Sequence, residues 1–263
     1  MAIQILTFYE FISLDDLIKS RLYYSLLSAR VQHMASKIVG SLLGFFLFWI
    51  SPGPGYSQGV SLEEVIDKVQ EQYEIHQDFK AHFAQETFVK SLGKKQQAEG
   101  TVYFKKPGKM RWTFQKPTQQ EIISNGKTLW TYRPEDKQVI IGQTSQTFQA
   151  KAPSTFLAGL GNLKRDFKGR FEKEPAQGKN YFLELTPVET QGSLEKLLLT
   201  VDRESFKILQ AKIQDAMGNI TQITFSKIQF DIQLADSLFT FTPPKGVEVF
   251  NLPGSRPAGE TGK

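Results

Sequence analysis

The chain has 263 residues, of which 40% are hydrophobic and 22% are charged, and these fractions indicate a globular protein and exclude a disordered one. It contains no cysteine, which excludes disulfides, thiolate metal sites, a cysteine nucleophile and lipid attachment through cysteine. With 32 basic and 27 acidic side chains the net charge is +5, a weakly basic value that by itself favours no nucleic-acid partner.

The N-terminal segment has the pattern of a secretory signal. Residues 38–50 are uncharged and apolar, follow Lys37, and lead into prolines and glycines at 52–55. This apolar run is too short to cross a bilayer, since a spanning helix takes about 20 residues. The pattern therefore predicts a signal peptide; the alternatives are an uncleaved anchor and a buried core helix.

Cleavage is expected after Ser57, because Gly55 and Ser57 place small residues at the −3 and −1 positions of a signal peptidase site. The signal has its usual length if translation starts at Met34. We therefore expect residues 1–57 to be absent from the mature protein, which begins at Gln58 in the bacterial periplasm.

An amphipathic helix is the first predicted element of the mature chain. Its apolar residues recur every three or four positions and form one stripe: Leu62, Val65, Ile66, Val69 and Tyr73. Ser61 is placed as its N-cap, with Glu63 and Glu64 in the first turn. A helix with one apolar stripe must pack on another layer of the fold.

Two β-rich stretches follow, from about 79 to 142 and from about 166 to 241. Both alternate apolar and polar residues and are divided by glycine, proline and asparagine turns. They predict an antiparallel sheet of about 10–11 strands, and a sheet of that size must curl. A single domain is predicted over 58–250, with a disordered tail at 251–263.

The stretch between the two β blocks breaks the alternation. Pro153 predicts the start of a short helix that carries Phe156, Leu157 and Leu160. Because these side chains are apolar, this helix is also expected to pack on the sheet.

Motifs for catalysis are weak. A G-x-S-x-G pattern occurs at 55–59, but the predicted cleavage cuts it and no strand precedes it. His76 and His82 are six residues apart, which does not fit a helical metal pair. No phosphate-binding or dinucleotide-binding motif is present. We therefore expect a binding protein rather than an enzyme, with no metal and no cofactor.

A basic cluster surrounds one predicted hairpin. Its members are Lys94, Lys95, Lys105, Lys106, Lys109, Arg111 and Lys116. Interleaved aromatic residues make a nucleic-acid surface one interpretation. The favoured interpretation is a solvated sheet edge protected by lysines against aggregation, because an exported protein does not meet nucleic acid.

Alternation over residues 102–114 places an apolar set on one face. The set comprises Val102, Phe104, Met110, Trp112 and Phe114, and Lys106 has the same parity. An ordinary packed core explains the apolar residues but not the lysine. A lysine on an inward face indicates a cavity mouth.

Several stretches resemble one known family. They are residues 100–112 with Pro117, residues 123–139, and residues 239–247, which together with the first helix and the segment 156–160 follow the family's order. The chain is thereby identified as a member of the LolA family of periplasmic lipoprotein carriers. The resemblance implies a mainly β fold, an incomplete, half-open antiparallel barrel covered by short lid helices, which encloses a hydrophobic cavity.

The resemblance also implies the roles of residues. The cavity would be lined by the apolar set named above, from Val102 to Phe114, and by Leu62, Val65, Ile66 and Val69 of the first helix. Phe156, Leu157 and Leu160 would form the lid. Lys106 stands where the family usually has an arginine that tethers the lid, and we expect it to act as the latch with less hydrogen-bonding capacity.

The implied function is transport of triacylated lipoproteins. A monomeric carrier would accept cargo from the inner-membrane ABC transporter LolCDE and pass it to LolB or an equivalent acceptor in the outer membrane. The lack of cysteine separates the chain from LolB, which is itself a lipoprotein. A lipid-sensing regulatory domain remains the alternative, and a lipid hydrolase is the third possibility.

Overall fold

The computed structural model describes residues 60–144, 161–173, 178–189 and 194–252. The predicted signal peptide, the predicted helix at 153–160 and most of the predicted tail lie outside these residues. No helix within the described residues is long and apolar enough to cross a membrane.

The described residues form two helices and twelve strands. They are α1 (Leu62–Ile75), β1 (Asp78–Val89), β2 (Lys94–Lys105), β3 (Lys109–Lys116), β4 (Gln120–Asn125), β5 (Thr128–Arg133), β6 (Gln138–Gln143), α2 (Leu163–Asp166), β7 (Phe167–Phe171), β8 (Asn180–Pro187), β9 (Leu194–Asp202), β10 (Ile208–Asp215), β11 (Ile220–Phe230) and β12 (Glu248–Asn251). Short 3-10 turns lie at Lys90–Leu92 and Asp236–Phe239.

All twelve strands belong to one sheet in the order β12-β6-β5-β4-β3-β2-β1-β11-β10-β9-β8-β7. The two edges, β12 and β7, do not pair with each other, so the curved sheet is open on one side. The predicted half-open barrel is confirmed.

The final strand differs from the prediction in three ways. It raises the count above 10–11, and β12 pairs with β6 in parallel, whereas every other neighbouring pair is antiparallel. The chain reaches β6 from β11 through a long crossing, which allows a parallel pair where a tight turn would not. Because β12 includes Asn251, it also extends one residue past the predicted domain boundary at 250.

Helix α1 begins as predicted. The Ser61 hydroxyl accepts a hydrogen bond from the backbone N–H of Glu64 at 3.2 Å. At this end of the helix the sheet contributes a glycine, and a Cβ atom at Gly169 would lie 2.9 Å from Cδ1 of Ile66. Gly169 therefore lets α1 pack closely on the edge strand β7.

Residues 231–247, here called the strap, cross the outer, convex face of the sheet. The predicted β stretch to 241 is wrong here, because β11 ends at Phe230 and Asp231 and Gln233 have positive φ angles of 52° and 59°. Such left-handed residues break the extended conformation that a strand needs.

Three basic residues of β2 and β3 hold the strap. Lys105 Nζ donates to the carbonyl of Leu234 at 2.6 Å, and the Lys105 and Lys109 ammonium groups contact the Asp236 carboxylate at 2.7 and 2.8 Å. Arg111 Nη1 donates to the carbonyl of Leu238 at 3.0 Å. The favoured sheet-edge interpretation of these residues is therefore wrong, because β2 and β3 are interior strands and sequence order does not reveal sheet position.

Candidate functional site

The apolar set predicted from alternation lies on the inner, concave face. Val102 pairs directly with Trp112, and Phe104 pairs with Met110, across the β2–β3 ladder. These four side chains are at most 2% exposed. Phe114 lies opposite Gly100 on the same face and is only partly buried. Shared parity is thus confirmed across the hairpin.

Aromatic rings dominate this half of the concave face. The Trp112 ring packs edge-on against Phe83 and Phe104, with centroid distances of 4.9 and 6.0 Å. Phe83 also packs edge-on against Phe114 at 5.0 Å. Edge-to-face contacts of this kind stabilise ring clusters.

The other half of the concave face is mainly aliphatic, and none of its residues is among the predicted site residues. Tyr181 and Phe225 are its buried aromatic residues, and its buried aliphatic side chains are Leu183, Leu185, Leu197, Leu199, Val201, Ala211 and Ile223. Direct pairing of Leu183 with Leu199 and of Leu185 with Leu197 places them in continuous rows. The alternation over 181–201 is the signal that predicts these inward positions.

Helix α1 packs against the same core. Val65, Ile66, Val69 and Tyr73 are buried in it, and Leu62 is partly buried beside them. The hydroxyl of Tyr73 accepts a hydrogen bond from the backbone N–H of Ile208 at 3.2 Å, and burial raises its pKa above the ordinary value. The apolar stripe predicted for α1 therefore faces the concave surface of the sheet.

One polar atom inside the aromatic half is unpaired. Nε1 of Trp112 is buried and makes no hydrogen bond in the part of the chain that the structure describes. An indole N–H is a donor, and burying it without an acceptor costs about 1–3 kcal/mol. A carbonyl oxygen that reached this atom would offset that cost.

Lys106 lies at one end of the concave face, after β2. Its Nζ donates to the backbone carbonyl of Glu74, in the last turn of α1, at 2.5 Å. Partial burial lowers the pKa of Lys106, and the charges of Glu74 and Asp231 act in the opposite direction. The predicted partner segment 156–160 lies outside the described residues, so the tether that the structure shows is to α1.

A second contact ties α1 to the start of the strap at this end. Nδ1 of His76 lies 2.6 Å from Oδ2 of Asp231, and the other oxygen of Asp231 accepts the backbone N–H of Gln77 at 2.8 Å. These hydrogen bonds lower the pKa of Asp231, the His76 contact contributing most. The His76 ring stacks on Phe230 at 4.2 Å.

The described residues contain no group of three or more His, Asp or Glu side chains arranged to hold a metal ion. The concave face is predominantly apolar. It offers aromatic and aliphatic side chains on strands, one helix laid across them, and polar contacts confined to its ends.

Comparison with known proteins agrees with this geometry. Residues 75–242, which include β1 to β11, match the family model described as outer membrane lipoprotein carrier protein LolA. This chain belongs to the LolA family. The outer-membrane lipoprotein carrier protein of Nitrosomonas europaea is 32% identical over 171 residues, which cover 65% of this chain and 81% of that protein.

A second curated relative and one solved structure were also compared with the chain. The outer-membrane lipoprotein carrier protein of Dechloromonas aromatica is 32% identical over 170 residues, covering 65% of this chain and 79% of that protein. The crystal structure of a LolA superfamily protein from Nitrosomonas europaea aligns with a TM-score of 0.40 and 17% identity, covering 70% of this chain and 99% of that one.

Proposed function

We propose that this protein carries triacylated lipoproteins across the periplasm, shielding their acyl chains against the concave face of its sheet. The observation that carries the proposal is the continuous apolar surface that β1–β4 and β8–β11 form under α1, in a chain of the LolA family. The relatives named above are lipoprotein carrier proteins, and this chain covers about four fifths of their length.

The energetics of transfer favour a carrier over unaided diffusion. Each buried CH₂ group is stabilised by about 0.8 kcal/mol, so three long acyl chains in water cost tens of kcal/mol. Transfer from a membrane to the concave face exchanges one apolar environment for another, and its net free energy is small. Direction must then come from the donor and the acceptor.

We assign those roles to the partners implied by the family. The ABC transporter LolCDE loads the carrier with energy from ATP, and LolB or an equivalent acceptor receives the cargo. The carrier itself is exported by the signal peptide that ends at Ser57. No covalent step is required of it, so it acts as a chaperone and not as an enzyme.

Within this function the concave side chains contact acyl chains. One side of the binding surface, here called the aromatic wall, consists of Val102, Phe104, Met110, Trp112 and Phe114. The apolar stripe of α1 from Leu62 to Val69 covers it. Phe156, Leu157 and Leu160 complete the lid. Lys106 holds the end of α1 when the carrier is empty. Its hydrogen bond, which involves a charged group and is worth about 1.5–3 kcal/mol, is small beside the burial of acyl chains, so cargo can break it.

The test is to identify what the protein carries. The chain is expressed with its signal in a diderm bacterium, isolated from the periplasm without detergent, and its ligands are extracted for mass spectrometry. Triacylated lipoproteins of several sequences are expected. Recovery of free lipids alone, or of one constant protein partner, would contradict the carrier and support a lipid-sensing domain.

A further inference from the structure

The concave face is not apolar along its whole length. At the end away from Lys106, near Gly93, its inward positions carry polar side chains that line a pocket of about 90 Å³ together with Phe114 and Ile122. Those polar side chains are Gln85, Thr87, Gln96, Gln120 and Thr221. We call this the amide pocket.

The strand registers place these residues on the inner face. Thr87 pairs with Gln96 on one side and with Thr221 on the other, and Gln120 pairs with Phe114. Thr87 lies on the same inner face of β1 as Phe83, and Thr221 lies on the same inner face of β11 as Ile223. The amide pocket therefore adjoins the aromatic wall on the inner face, and its lining also includes Gln97, which pairs with Glu86 on the outer face.

Part of the hydrogen-bonding capacity of the pocket is used internally. Gln85 Nε2 donates to Thr87 Oγ1 at 3.2 Å, and Thr87 Oγ1 lies 3.3 Å from Thr221 Oγ1. Thr87 is only 2% exposed. This chain of contacts orients the Gln85 amide at the wall of the pocket.

The other hydrogen-bonding groups of the pocket are available to a ligand. Among the described residues, Oε1 of Gln85 and the side-chain amides of Gln96 and Gln120 make no hydrogen bond, so each retains donors or acceptors for a ligand. Trp112, which pairs with Ile122 at the border of the pocket, holds the unpaired buried N–H described above.

The size and charge of the pocket limit what it can hold. A volume of about 90 Å³ holds a few water molecules and is far smaller than the volume of a long acyl chain. No carboxylate lines the pocket, and the charge of its cation, Lys116, is balanced by an ion pair with Glu99 at 2.7 Å, so the pocket favours uncharged groups rich in acceptor oxygens.

We propose that the amide pocket binds the polar head of the cargo, namely the ester and amide carbonyls that join the acyl chains to the modified N-terminal cysteine. This inference rests on the proposed carrier function. The acyl chains then lie along the aromatic wall toward Lys106, and the polypeptide of the cargo leaves at the Gly93 end.

The first experiment compares two ligands. Binding of a synthetic tripalmitoylated cysteinyl peptide and of the uncharged apolar dye N-phenyl-1-naphthylamine is measured for the mature protein and for Gln85→Leu and Thr87→Val. Loss of one or two neutral hydrogen bonds predicts about five- to tenfold weaker binding of the peptide. Binding of the dye should change less than about twofold, since the aromatic wall is intact.

Gln222→Leu is the matched control. It makes the same exchange on β11 at a position that pairs with Glu86 on the outer face. It should bind both ligands like the parent. If Gln85→Leu and Thr87→Val also bind the peptide like the parent, the amide pocket does not hold the head. If the parent itself does not bind the peptide, the carrier function fails instead.

The second experiment measures orientation. Because the chain has no cysteine, Leu92→Cys and Ile232→Cys each accept one dye, at exposed positions near opposite ends of β1. These ends are about 35 Å apart at the rise of a strand. Energy transfer from a label on the second residue of the peptide should be stronger to position 92. Equal transfer, or stronger transfer to position 232, would overturn the proposal.

Discussion

Met110 and Arg111 are neighbours in the chain, yet their side chains lie on opposite faces of β3. Met110 is buried among the apolar side chains of the concave face, whereas Arg111 binds the strap and Glu121 on the outside. Alternation along a strand thus separates cargo contact from structural support at the level of single residues.

Met110→Glu should abolish loading while the sheet still forms. A carboxylate on the concave face must lose its hydration when acyl chains cover it, which costs several kcal/mol. We expect at least a tenfold loss of tripalmitoylated peptide bound, measured by co-elution. Gln115→Glu, an exposed position of the same strand, is the control and should load normally. If Met110→Glu has lost its β circular dichroism, Met110 belongs to a packed core and not to a cavity wall.

Substitution of Lys106 should affect how α1 covers the concave face and leave the apolar side chains of the sheet unchanged. Lys106→Leu removes the donor to the carbonyl of Glu74, so the end of α1 is released in the empty protein. N-phenyl-1-naphthylamine should then bind more tightly, and transfer to an acceptor should slow. Lys106→Arg keeps the charge and adds donors, so it should bind the dye less tightly than the parent. Identical dye binding by all three proteins would show that Lys106 is no latch.

Alternation was enough to predict which residues between 102 and 114 face inward, because the two-residue period persists across the hairpin. It was not enough to predict the partner of Lys106. A backbone carbonyl at the end of a helix has no sequence signature of its own, and its contact with Lys106 depends on how α1 crosses the sheet. The inward polar residues of the amide pocket were missed because glutamine and threonine are also ordinary on outward positions.

At the scale of elements, the strap is the least expected feature. It places the 3-10 turn Asp236–Phe239 over β3 and β4, where Phe239 is fully buried on the outer face. Three of the basic residues that were predicted to lie at a sheet edge, Lys105, Lys109 and Arg111, are its anchors. Sequence alternation predicts strands well, but a strap of this kind depends on positive φ angles at residues other than glycine.

Asp236 should make the stability of the strap depend on pH. Hydrogen bonds from Lys105 and then Lys109 lower its pKa from 3.8 to about 2. A carboxyl group whose pKa is lower in the folded chain stabilises the fold at pH values above its unfolded pKa, and that stabilisation is lost as the pH falls from about 4 to about 2. Urea unfolding should therefore show Asp236→Asn to be less stable than the parent at pH 6, with a smaller difference at pH 2.5.

Asp67→Asn is the control for this experiment, because it removes an exposed carboxylate that pairs with Lys164 away from the strap. A difference between the parent and Asp236→Asn that stays constant from pH 6 to pH 2.5 would contradict the role assigned to Asp236.

At the scale of the whole molecule, the inner face of the sheet is mainly aromatic on β1–β3 and mainly aliphatic on β8–β11. The size and curl of the sheet were predictable from the number of short alternating segments. The strand order, with β1 between β2 and β11, was not, because it depends on long-range pairing between segments about 140 residues apart in the chain.

The carrier function requires a chain that is free of the membrane. We expect the secreted protein to begin at Gln58, as measured by intact mass and N-terminal sequencing of periplasmic material. Ser57→Leu should slow processing, because the −1 position of a signal peptidase site takes small residues. A mature protein that retains residues 45–50 would be tethered, and the shuttling function would not hold.

The strap also has a mechanical consequence. A segment that is anchored along the outside of a curved sheet becomes taut when the sheet rolls up further and slack when the sheet flattens. We therefore expect the contacts of Lys105, Lys109 and Arg111 with the strap to resist further rolling of the sheet but not its widening. In a lipid carrier, such contacts would keep the empty sheet open and still allow it to widen around bulkier lipids.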